Sequence, residues 1–446
     1  MTTKALAKNI CDYPLELLPK ETIHEAKKSL LNSLGNCIGA HNHPSIDMML
    51  AVAKTMNSSP QATIVGTSIK TDMQFAAILN GMSASMFDFD DTFLDTILHP
   101  SAPVFPALLA WCEYYNLPGK LLLQNFVIGA EVEERVALCL GRQGHYEKGW
   151  HITGTAGTFG ATAAMGKLLG LSLIQMVDAL GIASVQTTGI RTMFGTYTKP
   201  IHAGKAAATG ILSALLAKEG MTSSEQSLEA KKGYCFLMSD SPDYTYLETP
   251  WGKNWQIMKN TYKPFACGIV AHAAIDAAIR LRKKGITAAN IRSIVIEVHP
   301  LALELTGKPE PKDTLEAIFS VYHGVAVGLL NGKAGQWEYT TQHVRDEQVI
   351  EIRKKVKAMV NNTMNVDNAM LKAETTNGES VEIFVDKVFG SLDNPLTETD
   401  LERKFIDLTA PFMSKNKQEK IIKLVWQLDQ QDNIRELIAL CKADIG

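Results

Sequence analysis

A chain of 446 residues, 46% of them hydrophobic, is long enough to build more than one hydrophobic core. Its 44 Lys and Arg nearly balance 47 Asp and Glu, without a basic tract, which argues against nucleic acid or an anionic membrane surface as partner. Seven scattered cysteines with no CxxC pair argue against a disulfide framework or a zinc site, and no apolar run has signal-peptide or membrane-spanning length, so a cytoplasmic globular protein is expected.

In chain order, residues 1–266 read as helix after helix. Thr22-Ile-His-Glu25 has capping-box spacing and opens an apolar-periodic run through Ile38. Runs rich in Ala, Leu and Met follow at 75–86, 121–140, 154–169, 172–186 and 205–218, and their small residues predict close helix packing. Beyond Lys263-Pro264 the pattern changes. A helix at 272–284 precedes an alternating strand at 293–300, and the Asn377-Gly378 turn joins 371–376 to 380–385 as a hairpin. Helices at 314–331 and 345–358 complete this unit, and helices at 399–409, 417–428 and 432–442 close the chain. The fold class is mainly α: a large all-helical domain from 1–266 and 396–446, with a smaller α+β domain at 267–395. A cleft between the two is the expected ligand site.

Four stretches hold residues suited to chemistry. FDFDDTFLDTILHPSAPVFP, at 87–106, crowds Asp88, Asp90, Asp91 and Asp95 beside His99-Pro100. It lacks the central glycine and terminal glutamate of a calcium loop, so metal ranks last, behind helix capping and proton transfer. The proline holds its histidine extended, which suits an aimed acid or base. Tyr146 and His151 precede Gly154, Gly157 and Gly160; no Ser or Thr follows Lys167 and no strand precedes the run, so this is no phosphate loop. Arg191 and Lys199-Pro200 suit carboxylate binding. Lys263-Pro264 precedes Cys267, a thiol before a helix, and His272. Each has a plain structural alternative: capping acids, solvated lysines, a buried thiol, core histidines. Together they suit binding of a small anionic substrate and proton transfer on it.

DFDDT (88–92), HPSAPVFPALLA (99–110), His151 with GTAGTFGA, TKPIHAGKAA (198–207) and KPFACG (263–268) resemble the MmgE/PrpD family over essentially the whole chain. The resemblance implies a helical domain built from both chain ends plus an α+β domain, no metal or organic cofactor, and a homodimer. It carries site roles onto Asp88, Thr92, His99, His151, Lys199 and Lys263. Three departures stand out: an extra residue between Thr92 and His99, FSVYH (319–323) leaving His323 or Tyr322 in a tyrosine's role, and Ala266-Cys267-Gly268 where a decarboxylase has Pro-Ala-His.

The GHYEKGWH loop and KPFACGIVAH look most like the iminodisuccinate epimerase branch. The expectation is therefore an isomerase, a cofactor-independent epimerase of a small di- or polycarboxylate. Lys199 and Tyr146 would act as acid and base on opposite faces, with His99 and His151 polarising carboxylates. Arg191, Lys263 and His323 would contact the anion with Thr92, and Asp88 would orient His99 or a lysine. The alternatives are a 2-methylcitrate dehydratase or cis-aconitate decarboxylase, and, in another class, a silent carboxylate-binding protein.

Overall fold

The computed structural model describes residues 1–444, which fall into two compact units. The first gathers Met1–Met86, Asp90–Asn260 and the chain from Leu401; the second gathers Phe87–Phe89 and Thr261–Asp400.

Helices dominate the first unit: α1 (Thr2–Asp12), α2 (Lys20–Ala40), α3 (Pro44–Thr55), α4 (Met73–Ser85), α5 (Ser101–Tyr114), α6 (Gly119–Leu140), α7 (Ile152–Thr155), α8 (Gly157–Leu168), α9 (Leu173–Ser184) and α10 (Ile201–Lys218). α4, α5, α8 and α10 are apolar or small on nearly every side, the pattern of helices enclosed by other helices. α10 packs on α4 and α8, and α8 on α6. Leu30, Leu34, Val104, Leu108 and Leu123 are fully buried, each contributing roughly 1.5–3 kcal/mol. Phe105 and Phe126 stack with ring centroids 3.7 Å apart. At the crossing of α4 and α10 the backbones touch. A Cβ on Gly204 would lie 2.3 Å from the Ile78 carbonyl oxygen, and one on Gly81 2.7 Å from the Gly204 Cα, so only glycine fits. Helices Lys415–Trp426 and Arg435–Leu440 return the chain end to this core through Ile421, Val425 and Leu437.

The Thr22–Glu25 cap is not formed. α2 starts at Lys20 behind Pro19, and the Thr22 hydroxyl donates to the Pro19 carbonyl from inside the first turn. Proline at the helix entrance sets the start before the capping pattern is reached.

The second unit is a four-stranded sheet with helices against it. Strands β1 (Ile291–Val298), β2 (Val356–Val360), β3 (Ala369–Thr375) and β4 (Ser380–Val385) lie in the order β2-β1-β3-β4. β1 and β2 run parallel, from Ile294 opposite Val356 to Val298 opposite Val360; β3 is antiparallel to both its neighbours. Ile294, Ile296 and Val298 alternate inward with Ala369, Leu371 and Ala373. Helix α11 (His272–Lys283) covers β3 and β4, and α12 (Val321–Asn331) packs on α11 and β2. The helix expected at 345–358 stops at Lys354 because Val356–Val360 pairs with β1. The one expected at 314–331 breaks before Ser320, whose hydroxyl donates to the Lys308 carbonyl and accepts from the His323 N–H to cap α12. The mainly α, two-domain class is thus observed. Among the described residues, no helix is long and apolar enough to cross a membrane.

Candidate functional site

His99 is presented by a folded-back loop of the first unit. Phe93 N–H donates to the Leu98 carbonyl at 2.8 Å and Leu98 N–H returns to the Phe93 carbonyl at 3.2 Å. The reversal forces Ile97 to a φ of +62°, a conformation that costs about 1–3 kcal/mol in a β-branched residue. Pro100 then opens α5. The buried His99 ring is aimed by the backbone: its Nδ1 lies 2.9 Å from the Asp91 carbonyl oxygen. A carbonyl only accepts, so Nδ1 carries the hydrogen and Nε2 holds the lone pair of the neutral ring. Thr92 Oγ1 lies 3.2 Å and an Asp90 carboxylate oxygen 3.6 Å from that same Nδ1, and His99 N–H donates to Thr153 Oγ1.

The clustered acids therefore divide their work. Asp91 accepts from the Ser101 hydroxyl at 2.5 Å, Ser101 N–H at 3.2 Å and the Asn260 amide at 2.7 Å, tying the start of α5 to residue 260. Burial pushes its carboxyl up to about 6 against the pull of those hydrogen bonds. Asp95 is exposed and pairs with Lys259 at 3.2 Å.

His151 stands at the entrance to α7 with its N–H on the Gly189 carbonyl, 2.9 Å away. Gly154 lets the loop close: a Cβ there would meet the Thr188 carbonyl oxygen at 2.1 Å and His202 Cβ at 3.1 Å. Three rings surround the His151 imidazole, with centroids 6.4 Å away for His99, 5.1 Å for Phe194 and 5.0 Å for His202. Its Nδ1 lies 2.8 Å from His202 Nδ1. The buried Lys199 ammonium sits 5.8 Å from the Phe194 ring centre. Burial, reinforced by the Lys199 charge, pushes the His202 imidazole down to about 4. Thus His99, His151 and Lys199, expected from sequence, come together with His202, which was not. His202 follows Lys199 by three residues in TKPIH, one helical turn, which was the available signal.

Tyr146 is buried at the end of a π-helical turn, Arg142–Tyr146. Arg191 lies over its ring at 4.4 Å and donates to its carbonyl oxygen at 3.0 Å, so these two residues are brought together as well. Behind them the His145 Nδ1–H donates to the Met238 carbonyl and Nε2 accepts from the Thr155 hydroxyl, and burial pushes this imidazole down to about 4.

In the second unit, the Lys263 ammonium lies 3.0 Å from the Asp88 carboxylate and donates to the Asp88 carbonyl at 2.9 Å. His323 is enclosed in α12, Nε2 on the Glu338 carbonyl and ring against Tyr339, with burial pushing it down to about 4. That environment is a packed interior, apart from the Asp88–Lys263 pair. Burial pushes the Cys267 thiol up to about 12, the reverse of a reactive thiolate, and His272 packs on Phe265 with Nε2 3.3 Å from the Cys267 carbonyl.

Sequence reasoning also passed over Glu131, Glu133 and Glu134, all fully buried in α6. Glu131 meets Arg135 at 2.6 Å and accepts from Gln256 N–H at 2.7 Å. The carboxyl oxygens of Glu133 and Glu134 meet no hydrogen-bond partner among the described residues, and burial raises both acids well above the usual range. Three acids inside an otherwise apolar run were the visible clue.

The MmgE/PrpD N-terminal domain model matches residues 4–247 and the MmgE/PrpD C-terminal domain model matches 265–430. A cis-aconitate decarboxylase of Mus musculus is 28% identical over 459 residues, covering 99% of this chain and 93% of its own. One from Aspergillus terreus is 23% identical, covering 98% and 96%. A 2-methylcitrate dehydratase of Salmonella typhimurium is 25% identical over 378 residues, 78% of this chain and 76% of its own. These names overturn the epimerase expectation and its isomerase class: such relatives are lyases. The segments behind that expectation have structural occupations, since GHYEKGWH commits His145 to Met238 and Thr155, and KPFACGIVAH buries Cys267 and His272. With two family models together spanning most of its length, the chain belongs to the MmgE/PrpD family.

Proposed function

We propose that this protein is a lyase acting on a small polycarboxylate of the cis-aconitate or 2-methylcitrate kind for which its relatives are named. One arrangement carries the reading: the buried His99, His151 and His202, linked through His151, with the Lys199 ammonium beside the Phe194 ring that His151 contacts. Losing carbon dioxide leaves the electron pair of the broken C–C bond on the substrate. Losing water begins with removal of a C–H proton beside a carboxylate, and the C–O electrons depart with a hydroxyl that must be protonated. Both place negative charge next to a carboxylate, and a buried cation stabilises it more strongly than water does. Lys199 supplies that charge, with Arg191 as a further carboxylate contact. His99, whose neutral form keeps its lone pair at Nε2, is suited to take or return the proton, and Thr92 steadies its ring. Within the second unit, Asp88 and Lys263 form a charged pair with each other.

The test is incubation with cis-aconitate and with 2-methylcitrate, following carbon dioxide release in the first and growth of alkene absorbance in the second. Turnover of either supports the lyase; a protein that binds both and converts neither is a carboxylate-binding protein, and the proposal fails. A homodimer and a cytoplasmic location belong to the same proposal, checked by light scattering and by fractionation.

A further inference from the structure

We propose that His202 is a positioning residue of this site, its Nδ1 contact coupling the tautomer of His151 to its own and so governing whether His151 Nε2 carries a proton. The inference rests on the lyase reading for its consequence, though not for its geometry. The two Nδ1 atoms face each other at 2.8 Å with the rings inclined by 54°. Two nitrogens at that distance share one hydrogen, so the tautomers of the two rings are locked to one another. When His202 accepts, His151 carries Nδ1–H and presents a basic Nε2; when His202 donates, His151 presents Nε2–H. Burial and the Lys199 ammonium one turn away disfavour a second proton on His202.

Both rings are anchored from their backbones. His202 lies in the first turn of α10 with its N–H on the Lys199 carbonyl, and α10 is seated on α4 through Gly204. His151 is tied to Gly189 and its loop closes against the Cβ of His202. The His99 ring faces His151 at 6.4 Å between centroids, and the Lys199 ammonium lies beside the Phe194 ring that His151 also contacts. His99 is aimed by the Asp91 carbonyl and His151 by an imidazole, so one ring has a fixed tautomer and the other can change it. Such a pair can hand over a proton at one position while the other stays set.

The test compares His202→Leu with His202→Asn, whose amide stands close to the place of Nδ1 and can keep the contact without titrating. Histidine-labelled protein is titrated by nitrogen NMR without substrate, and kcat and KM are measured against pH with cis-aconitate and 2-methylcitrate. The Leu variant is expected to move the His151 titration by about one pH unit or more and to lower kcat by about 100-fold with KM little changed. The Asn variant should recover kcat to within about 10-fold of wild type. An unchanged His151 titration and pH profile in the Leu variant overturns the proposal. If that variant does not fold, the wild-type spectrum decides: nitrogen–nitrogen coupling between the two Nδ1 atoms supports the shared hydrogen, and two rings both protonated only at Nε2 overturn it. If wild type turns over neither substrate, the lyase reading fails, while the NMR arm still judges the pair.

Discussion

The Lys263 ammonium is fastened twice to one residue, to the Asp88 carboxylate at 3.0 Å and to the Asp88 carbonyl oxygen at 2.9 Å. Asp88 reaches it from a left-handed conformation, φ +52°, that aspartate and asparagine tolerate better than most residues. Lys263 is 1% exposed, so the pair is sealed from solvent.

Asp88→Asn keeps that backbone preference and removes the countercharge. A buried ammonium left without its carboxylate costs about 3–5 kcal/mol. Urea unfolding should show a loss of that order, and the double change Asp88→Asn with Lys263→Met should recover part of it. If the single change leaves the midpoint where it was, the pair does not hold the second unit together.

Glu133 gives the fold a pH dependence of opposite sense to ordinary acid unfolding. Its carboxyl faces Glu134 and Asp91, and burial outweighs both in raising it well above 4.5; Glu134 in turn faces Glu131, Asp91 and Glu25, with the Lys259 charge opposing them. An acid kept neutral in the folded state contributes fully below its unfolded value. As pH rises beyond about 4.5, the unfolded chain sheds the proton that the folded chain retains, and stability falls by up to about 1.4 kcal/mol per pH unit for each acid. Glu133→Gln should therefore melt higher than wild type at pH 8, with the advantage shrinking toward pH 4.5. A gap independent of pH contradicts a neutral Glu133.

His99→Asn separates orientation from chemistry. The Asn amide can still donate to the Asp91 carbonyl, so the loop should persist and the melting temperature should stay near wild type. Nε2 is gone, and kcat should fall by about 10²–10⁴-fold. Retention of near-wild-type turnover removes His99 from proton transfer.

Gly154→Ala places a methyl group 2.1 Å from the Thr188 carbonyl oxygen, closer than any contact can be. The loop bearing His151 must move, at a cost of about 1–3 kcal/mol. Because a shift of this size spoils alignment at the site, turnover should fall by about 100-fold. Circular dichroism and kcat on the same preparation check both.

How much of this was legible in the chain depends on how far apart the interacting residues lie. The HPS and TKP turns announced His99 and Lys199 because proline acts locally, on its own neighbours. His202 was hidden among alanines and glycines, where a histidine reads as ordinary helix interior until His151, 51 residues earlier, is folded against it. Asp91 could not be told from its neighbouring acids, since its partners Ser101 and Asn260 lie 10 and 169 residues away. Val356–Val360 read as the tail of a helix because its strand character comes from pairing with β1. The epimerase expectation failed differently. It rested on short loop matches, and loops change their use while the helices beneath them stay.

One consequence follows from the way His99 is held. The group that receives its Nδ1 hydrogen is a peptide carbonyl, not a side chain. No point mutation can delete it, and any descendant that keeps this chain path inherits the same imidazole tautomer. Asp90 and Thr92, close to the same nitrogen, contact it through side chains, which a point mutation can exchange and so retune the ring's basicity. A lineage can thus drift among substrates and leaving groups by exchanging those two neighbours, without having to rediscover how to point its base.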